Sequence, residues 1–156
     1  MSFVVTPPAP AAPSVPVQGR SERFPVRRIY CVGRNYAEHA IEMGHTGREA
    51  PFFFMKPADA VLPVAEGQVG RMHYPSLTKD LHHEVELVVA IGQGGGNITA
   101  ADAMKHVAGY CTVNDLSERE FQVERSGQWT KGKSYDTFGP IGPWLVTADE
   151  VKDPQN

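Results

Sequence analysis

The run Leu81-His82-His83-Glu84-Val85-Glu86-Leu87-Val88-Val89-Ala90-Ile91 constrains the fold more than any other stretch of the 156 residues. β-Branched and aliphatic residues fill its second half, so it reads as a strand. Side chains of a strand alternate with period two. His83, Val85, Leu87, Val89 and Ile91 therefore share one face, which is expected to build core. His82, Glu84, Glu86, Val88 and Ala90 share the other. Because Val88 and Ala90 continue the carboxylate face, the strand is expected to be covered on both sides. Carboxylates at i and i+2 repel each other, and burying them is costly unless protons or a cation neutralise them. The pair reads as half of a divalent-metal site. The competing reading is a solvated strand face, where paired glutamates are common.

A third acid, Asp115, lies just past the next apolar strand, Val107–Asn114, where sheet geometry can bring it beside the glutamates. Three carboxylates and no cysteine favour a hard, oxygen-loving ion, Mg²⁺ or Mn²⁺ rather than zinc.

Other residues suit chemistry around such an ion. His39 and Glu42 stand at i and i+3 in the segment Asn35–Gly44, which reads as a short helix. Asn35 suits the N-cap, Glu38 completes a capping box, and Gly44 suits the stop. At that spacing the carboxylate fixes the imidazole and leaves its other nitrogen free to take a proton from water. A surface His–Glu pair without consequence is the plainer alternative. Lys133 sits among glycines and aromatics in Gly127–Asp136, either as a solvated loop lysine or as a cation that stabilises an enolate or oxyanion. If the chain is helical from Leu116, Arg119 and Gln122 project to the side of Asp115, where they would grip a substrate carboxylate.

The rest of the chain gives context. Strands are expected at Val26–Gly33, Phe52–Lys56 and Ile141–Val146, a helix over Ala100–His106 capped by Thr99, and irregular structure over 120–136. Residues 1–25 hold six of the 13 prolines and read as an extended arm or tail contributing little core. Residues 26–156 then form one globular domain, consistent with 41% hydrophobic and 21% charged residues. A net charge of −3 with both signs scattered argues against a nucleic-acid surface. No apolar run reaches membrane length, and the start lacks a secretory pattern, so the expected compartment is the cytoplasm. Cys31 and Cys111 lie far apart in apolar runs and read as reduced, buried thiols. Gly92-Gln93-Gly94-Gly95-Gly96-Asn97 resembles a dinucleotide fingerprint but ends in Asn97, and is read as a flexible connection. His45, His73 and His106 show no ligand spacing.

Four motifs occur in order: Gly33-Arg34-Asn35-Tyr36-Ala37-Glu38-His39, Leu81-His82-His83-Glu84-Val85-Glu86-Leu87, Asn114-Asp115-Leu116-Ser117-Glu118-Arg119-Glu120-Phe121-Gln122, and Trp129-Thr130-Lys131-Gly132-Lys133-Ser134. From about residue 26 onward the chain resembles the fumarylacetoacetate hydrolase superfamily. The resemblance implies an α+β, predominantly β fold, a mixed β-roll or sandwich with short flanking helices, acting as a homodimer on a small 2-oxo acid. It implies Glu84, Glu86 and Asp115 as Mg²⁺ or Mn²⁺ ligands, and His39 with Glu42 as the water-activating dyad. It further implies Lys133 at the reacting centre, and Arg119, Gln122 and Lys56 as substrate contacts. Phe24–Tyr30 and Pro51–Ala60 look most like fumarylpyruvate hydrolases, enzymes of aromatic catabolism. The part from Asn114 to Trp144 is more similar to hydroxy-dienedioate isomerase and ureidoglycolate-lyase-like members, and Glu120 stands where many members carry aspartate. Members continue past the position of Asn156 with further strands that close the roll, so the domain is expected to be incomplete at its C-terminus. Hydrolysis of a carbon–carbon bond in an acylpyruvate is the expected activity. Isomerisation or decarboxylation on the same metal site, or a binding role without catalysis, are the alternatives.

Overall fold

The computed structural model describes Val4, residues 12–46 and residues 49–155. Its centre is a four-stranded sheet in the order β5-β10-β8-β7, built from β5 (Val61–Pro63), β7 (Val85–Ile91), β8 (Val107–Asn114) and β10 (Gly139–Thr147). β7 and β8 pair antiparallel, as do β8 and β10, whereas β5 joins β10 in parallel. Three two-stranded ribbons surround the sheet. They pair β1 (Ser14–Pro16) with β2 (Arg23–Pro25), β3 (Ile29–Gly33) with β4 (Phe52–Lys56), and β6 (Leu81–His82) with β9 (Ser117–Glu118). The fold is α+β and mostly strand, as expected. Among the described residues no helix is long and apolar enough to cross a membrane.

Order begins before Val26. Val15 is buried in a cluster with Ala90, Cys111, Ile141 and Leu145, flanked by Val17, Phe24 and Val26. Val26 N donates to Pro13 O at 2.7 Å and Gln18 N to Leu145 O at 2.9 Å, stitching this stretch to β10. The later part of the proline-rich segment is therefore core, not a detached arm. Its prolines sit in an outlying ribbon, where a missing N–H costs no ladder bond in the central sheet.

The faces of β7 are reversed from expectation. Val85, Leu87, Val89 and Ile91 are exposed, at 72%, 42%, 47% and 56%. The covered face carries Glu84, Glu86, Val88 and Ala90, with Val15 against its apolar end. Alternation separates two faces but does not say which is inside when both carry aliphatic residues. The packing partner decides, and here it is the proline-rich ribbon.

Helix α1 (Ala37–Glu42) is shorter than its motif suggested, with Tyr36 rather than Asn35 at the N-cap and no side-chain cap bond. Its end matches expectation. His45 N donates to Ala40 O at 2.8 Å and Gly44 N to Ile41 O at 2.9 Å, the paired bonds of a Schellman stop with Gly44 at φ +80°. The helix expected over Ala100–His106 is a 3₁₀ turn at Ala103–His106, preceded by a turn in which the Thr99 hydroxyl donates to the Asp102 carboxylate at 2.8 Å and Asp102 N to Thr99 O at 3.0 Å. The stretch 120–136 is more regular than expected. It holds a π-helical turn at Glu120–Glu124 and helix α2 (Trp129–Lys133). A five-residue hydrogen-bond step and a glycine inside α2 leave no 3.6-residue pattern to read.

Candidate metal centre

The register of β7 on β8 assembles the acids. Val85 lies opposite Asn114 and Glu86 opposite Val113, so Glu84 faces Asp115, whose N–H donates to Glu84 O at 2.7 Å. Glu86 follows two residues along on the same face. One carboxylate oxygen from each of Glu84, Glu86 and Asp115 lies within 4.8 Å of the others. Glu84 N is further held by the Asn114 side-chain oxygen at 3.0 Å.

Three cations converge on this cluster. Lys133, fully buried on α2, reaches Glu84 Oε2 at 2.6 Å and Asp115 Oδ2 at 2.8 Å. Its ammonium also lies 5.0 Å from the Phe54 ring and 5.8 Å from the Trp129 ring. Arg119 pairs with Glu84 Oε1 and donates to the buried Gln122 Oε1 at 2.8 Å. Lys56, at the end of β4, is buried beneath Asp115, with Nζ 2.5 Å from Oδ1. Oδ1 is held by this buried ion pair alone among the described residues. The Lys56 ammonium also donates to Lys133 O and Leu116 O, at 2.5 Å and 3.3 Å. Lys56, expected as a substrate contact, is here buried against the Asp115 carboxylate.

Glu86 is the acid without a partner. Among the described residues it accepts no hydrogen bond and forms no ion pair. Burial, then the charges of Asp115 and Glu84, push its carboxyl up to about 7. Burial also presses upward on Glu84, but Lys133 and Arg119 outweigh it and hold that carboxyl below its ordinary value. The neighbouring Cys31 thiol is pushed up to about 12, by burial first and the Asp115 charge second, which leaves it protonated. The donors of the cluster are all carboxylate oxygens, and the two of Glu86 accept no hydrogen bond among the described residues. That set fits a hard divalent cation and not a thiophilic one.

His39 and Glu42 make no hydrogen bond or ion pair with this cluster among the described residues. Nδ1 lies 3.6 Å from Glu42 Oε2, too far for a hydrogen bond, and the histidine side chain is 49% exposed. The helix carrying them is nonetheless tied to the site, since Leu87 N, one residue past Glu86, donates to the Tyr36 hydroxyl at 2.9 Å.

The sequence reading missed Tyr36, and it missed Glu118. The Glu118 carboxylate is fully buried, accepting from Thr78 Oγ1 and Phe121 N, each at 2.6 Å. It joins the loop before β6 to the π turn that carries Gln122. Gly132 packs so tightly there that a Cβ would lie 2.4 Å from Glu118 O and 2.6 Å from Gln122 N. No spacing in the sequence signals this contact, because Thr78 lies in a loop.

The family pattern of fumarylacetoacetate (FAA) hydrolase, C-terminal, matches residues 28–156. The chain belongs to the fumarylacetoacetate hydrolase family. Among solved members, a fumarylpyruvate hydrolase from Pseudomonas aeruginosa in complex with Mn²⁺ and pyruvate superposes with a TM-score of 0.88 at 47% identity, covering 99% of this chain and 66% of that one. A 5-carboxymethyl-2-hydroxymuconate delta-isomerase from Mycobacterium smegmatis superposes with a TM-score of 0.63 at 39% identity, covering 78% of this chain and 46% of its own. A Burkholderia multivorans protein with a provisional hydrolase name is 49% identical over 131 residues, 84% of this chain and 45% of that protein. The chain thus spans somewhat under half the length of the curated hydrolase relatives it matches.

Proposed function

We propose that this fumarylacetoacetate hydrolase family member is a metal-dependent hydrolase cleaving a carbon–carbon bond in an acylpyruvate, with fumarylpyruvate the first substrate to test. The observation that carries the reading is the meeting of Glu84, Glu86 and Asp115 beside Lys133, Arg119 and Gln122. The fold on which they meet is shared with a fumarylpyruvate hydrolase that holds Mn²⁺ and pyruvate.

In this reading Glu84, Glu86 and Asp115 hold Mg²⁺ or Mn²⁺, whose contribution when bound is Lewis-acid polarisation of the 2-oxo acid oxygens. Arg119 and Gln122 orient the substrate carboxylate through their remaining N–H donors. His39, steadied by Glu42, takes a proton from water as the water oxygen bonds to the distal carbonyl carbon. The bond from that carbon to the pyruvyl methylene breaks, and its electron pair leaves as pyruvate enolate. In this reading the Lys133 ammonium, buried against Glu84 and Asp115, stabilises that developing negative charge, in a setting that strengthens its effect. A proton returned to the methylene carbon completes pyruvate. The water step requires His39, half exposed on α1, to face the bound substrate.

Fumarylpyruvate added to Mn²⁺-loaded protein should lose its absorbance as fumarate and pyruvate form, and chelation should stop the loss. Failure to bind Mn²⁺ at all would end this reading. A second reading, isomerisation or decarboxylation on the same ion, is favoured by the exposed His39, which lacks a hydrogen bond to Glu42, and by the isomerase relative. Decay of oxaloacetate in place of fumarylpyruvate would select it. Sedimentation velocity tests the dimer that the family resemblance implies.

A further inference from the structure

An aromatic row leads away from the carboxylates. Phe54, buried at 7% exposure, tilts against Trp129 with centroids 5.6 Å apart, and Trp129 meets the edge of Phe52 at 5.0 Å. Phe52 is 39% exposed, so the row runs from the interior toward solvent. A cation stands at each end. Lys133 contacts Phe54 and Trp129 at the inner end, 2.6 Å from Glu84. Arg34 lies over Trp129 and Phe52 at the outer end, its Cζ 5.6 Å and 5.8 Å from their centroids.

Arg34 differs from an ordinary surface arginine in two ways. Its backbone is left-handed, at φ +60°, which is uncommon and costly for a residue with a long side chain. The preceding Gly33 fixes the approach, since a Cβ there would lie 2.8 Å from Phe52 Cδ1 and 3.1 Å from Trp129 Cζ3. The guanidinium held in this way makes no hydrogen bond or ion pair among the described residues and rests on ring faces alone. A stacked, strained and unpaired guanidinium presents its N–H edges to an anion from outside.

We propose that Arg34 is a specificity-determining residue that binds the far carboxylate of a dicarboxylic 2-oxo acid whose near end lies at the acid cluster. Both cations lie against Trp129, Arg34 Cζ 5.6 Å and Lys133 Nζ 5.8 Å from its ring centroid, so the row joins the outer guanidinium to the acid cluster through a single indole. The inference rests on the metal-dependent reading above and adds to it which acyl end the protein selects.

The test uses the full chain with Mn²⁺ and follows tryptophan fluorescence, since Trp129 is one of only two tryptophans. The ligands are pyruvate and 2-oxopimelate, a seven-carbon 2-oxo diacid lacking the second ketone and so not cleaved. Wild type should bind 2-oxopimelate about tenfold more tightly than pyruvate, the scale of one charge-assisted pair. Arg34→Asn, chosen because asparagine tolerates a left-handed backbone, should lose that advantage and keep its affinity for pyruvate. An advantage that survives the substitution, or one absent from wild type, overturns the role of Arg34 while pyruvate binding still supports the metal site. Absence of pyruvate binding in wild type with Mn²⁺ bound overturns the underlying oxo-acid reading, and this inference with it.

Discussion

The amide of Asp115 donates to the carbonyl of Glu84 at 2.7 Å, one step beyond the last paired residues of β7 and β8. That single bond makes a strand-end aspartate the neighbour of two glutamates thirty residues earlier in the chain. The carboxylates then converge because the register dictates it, and cations must follow because three carboxylates gathered in a largely covered site are costly alone.

The first consequence concerns Glu86, the acid left without a partner. Glu86→Ala should abolish measurable Mn²⁺ binding in a calorimetric titration, because in the proposed site it removes one of three ligands. His39→Ala should leave Mn²⁺ affinity nearly unchanged while lowering kcat. Equal Mn²⁺ affinity in wild type and Glu86→Ala would refute the assignment of this cluster as a metal site.

The same residue makes stability depend on pH. The Glu86 carboxyl is raised in the folded chain, from 4.5 to about 7. Between those values the folded protein binds the additional proton, so this group's contribution to stability falls as pH rises from about 4.5 to 7. The metal-free protein should therefore melt at a lower temperature at pH 8 than the remaining groups alone would dictate. Glu86→Gln should flatten that part of the profile. Mn²⁺ should raise Tm more at pH 8 than at pH 5.5, where it competes with the proton. Differential scanning fluorimetry on both proteins across this range, with and without Mn²⁺, reads the difference.

What the sequence made legible divides along physical lines. Glu84, Glu86 and Asp115 were readable because strand periodicity and antiparallel pairing are local rules, and both apply to β7 and β8. The inner face of β7 was not readable. It depends on Val15, from a segment whose prolines suggest no core at all, and such tertiary packing leaves no periodic trace. Lys133 could be singled out by its glycine-rich and aromatic surroundings, yet its burial between two acids follows from a helix that a glycine at position 132 hides from pattern reading. Lys56 entered only through the family resemblance, because nothing at the end of a strand in sequence reveals that its ammonium is buried against Asp115. The exposed stripe Val85–Ile91 contradicts the rule that aliphatic runs face inward, and its cover is absent among the described residues.

Removing Lys133 tests how the acids are held when no ion is present. Lys133→Met keeps much of the side chain's volume but leaves Glu84 and Asp115 without their shared ammonium. Breaking a buried pair from one side costs about 3–5 kcal/mol, so urea unfolding of the metal-free variant should show a loss on that scale. Saturating Mn²⁺ should recover part of it, because the ion neutralises the same oxygens. A variant as stable as wild type without metal would mean that the two acids are hydrated rather than held.

Glu118 provides the last test, directed at the geometry that supports the site. Its two oxygens accept from Thr78 and Phe121 in a fully buried position, and the π turn so fixed carries Gln122 to the Arg119 guanidinium. Glu118→Ala leaves a buried N–H and a hydroxyl unsatisfied, at a cost of about 1–3 kcal/mol each. Glu118→Gln can still accept from Phe121 N and donate to the Thr78 hydroxyl, so it should restore most of that stability. If the residue acts by positioning Arg119 and Gln122, the alanine variant should also weaken Mn²⁺-dependent pyruvate binding under conditions where it is fully folded by circular dichroism, and the glutamine variant should recover that binding. A folded alanine variant with wild-type pyruvate affinity would confine Glu118 to holding the loop before β6.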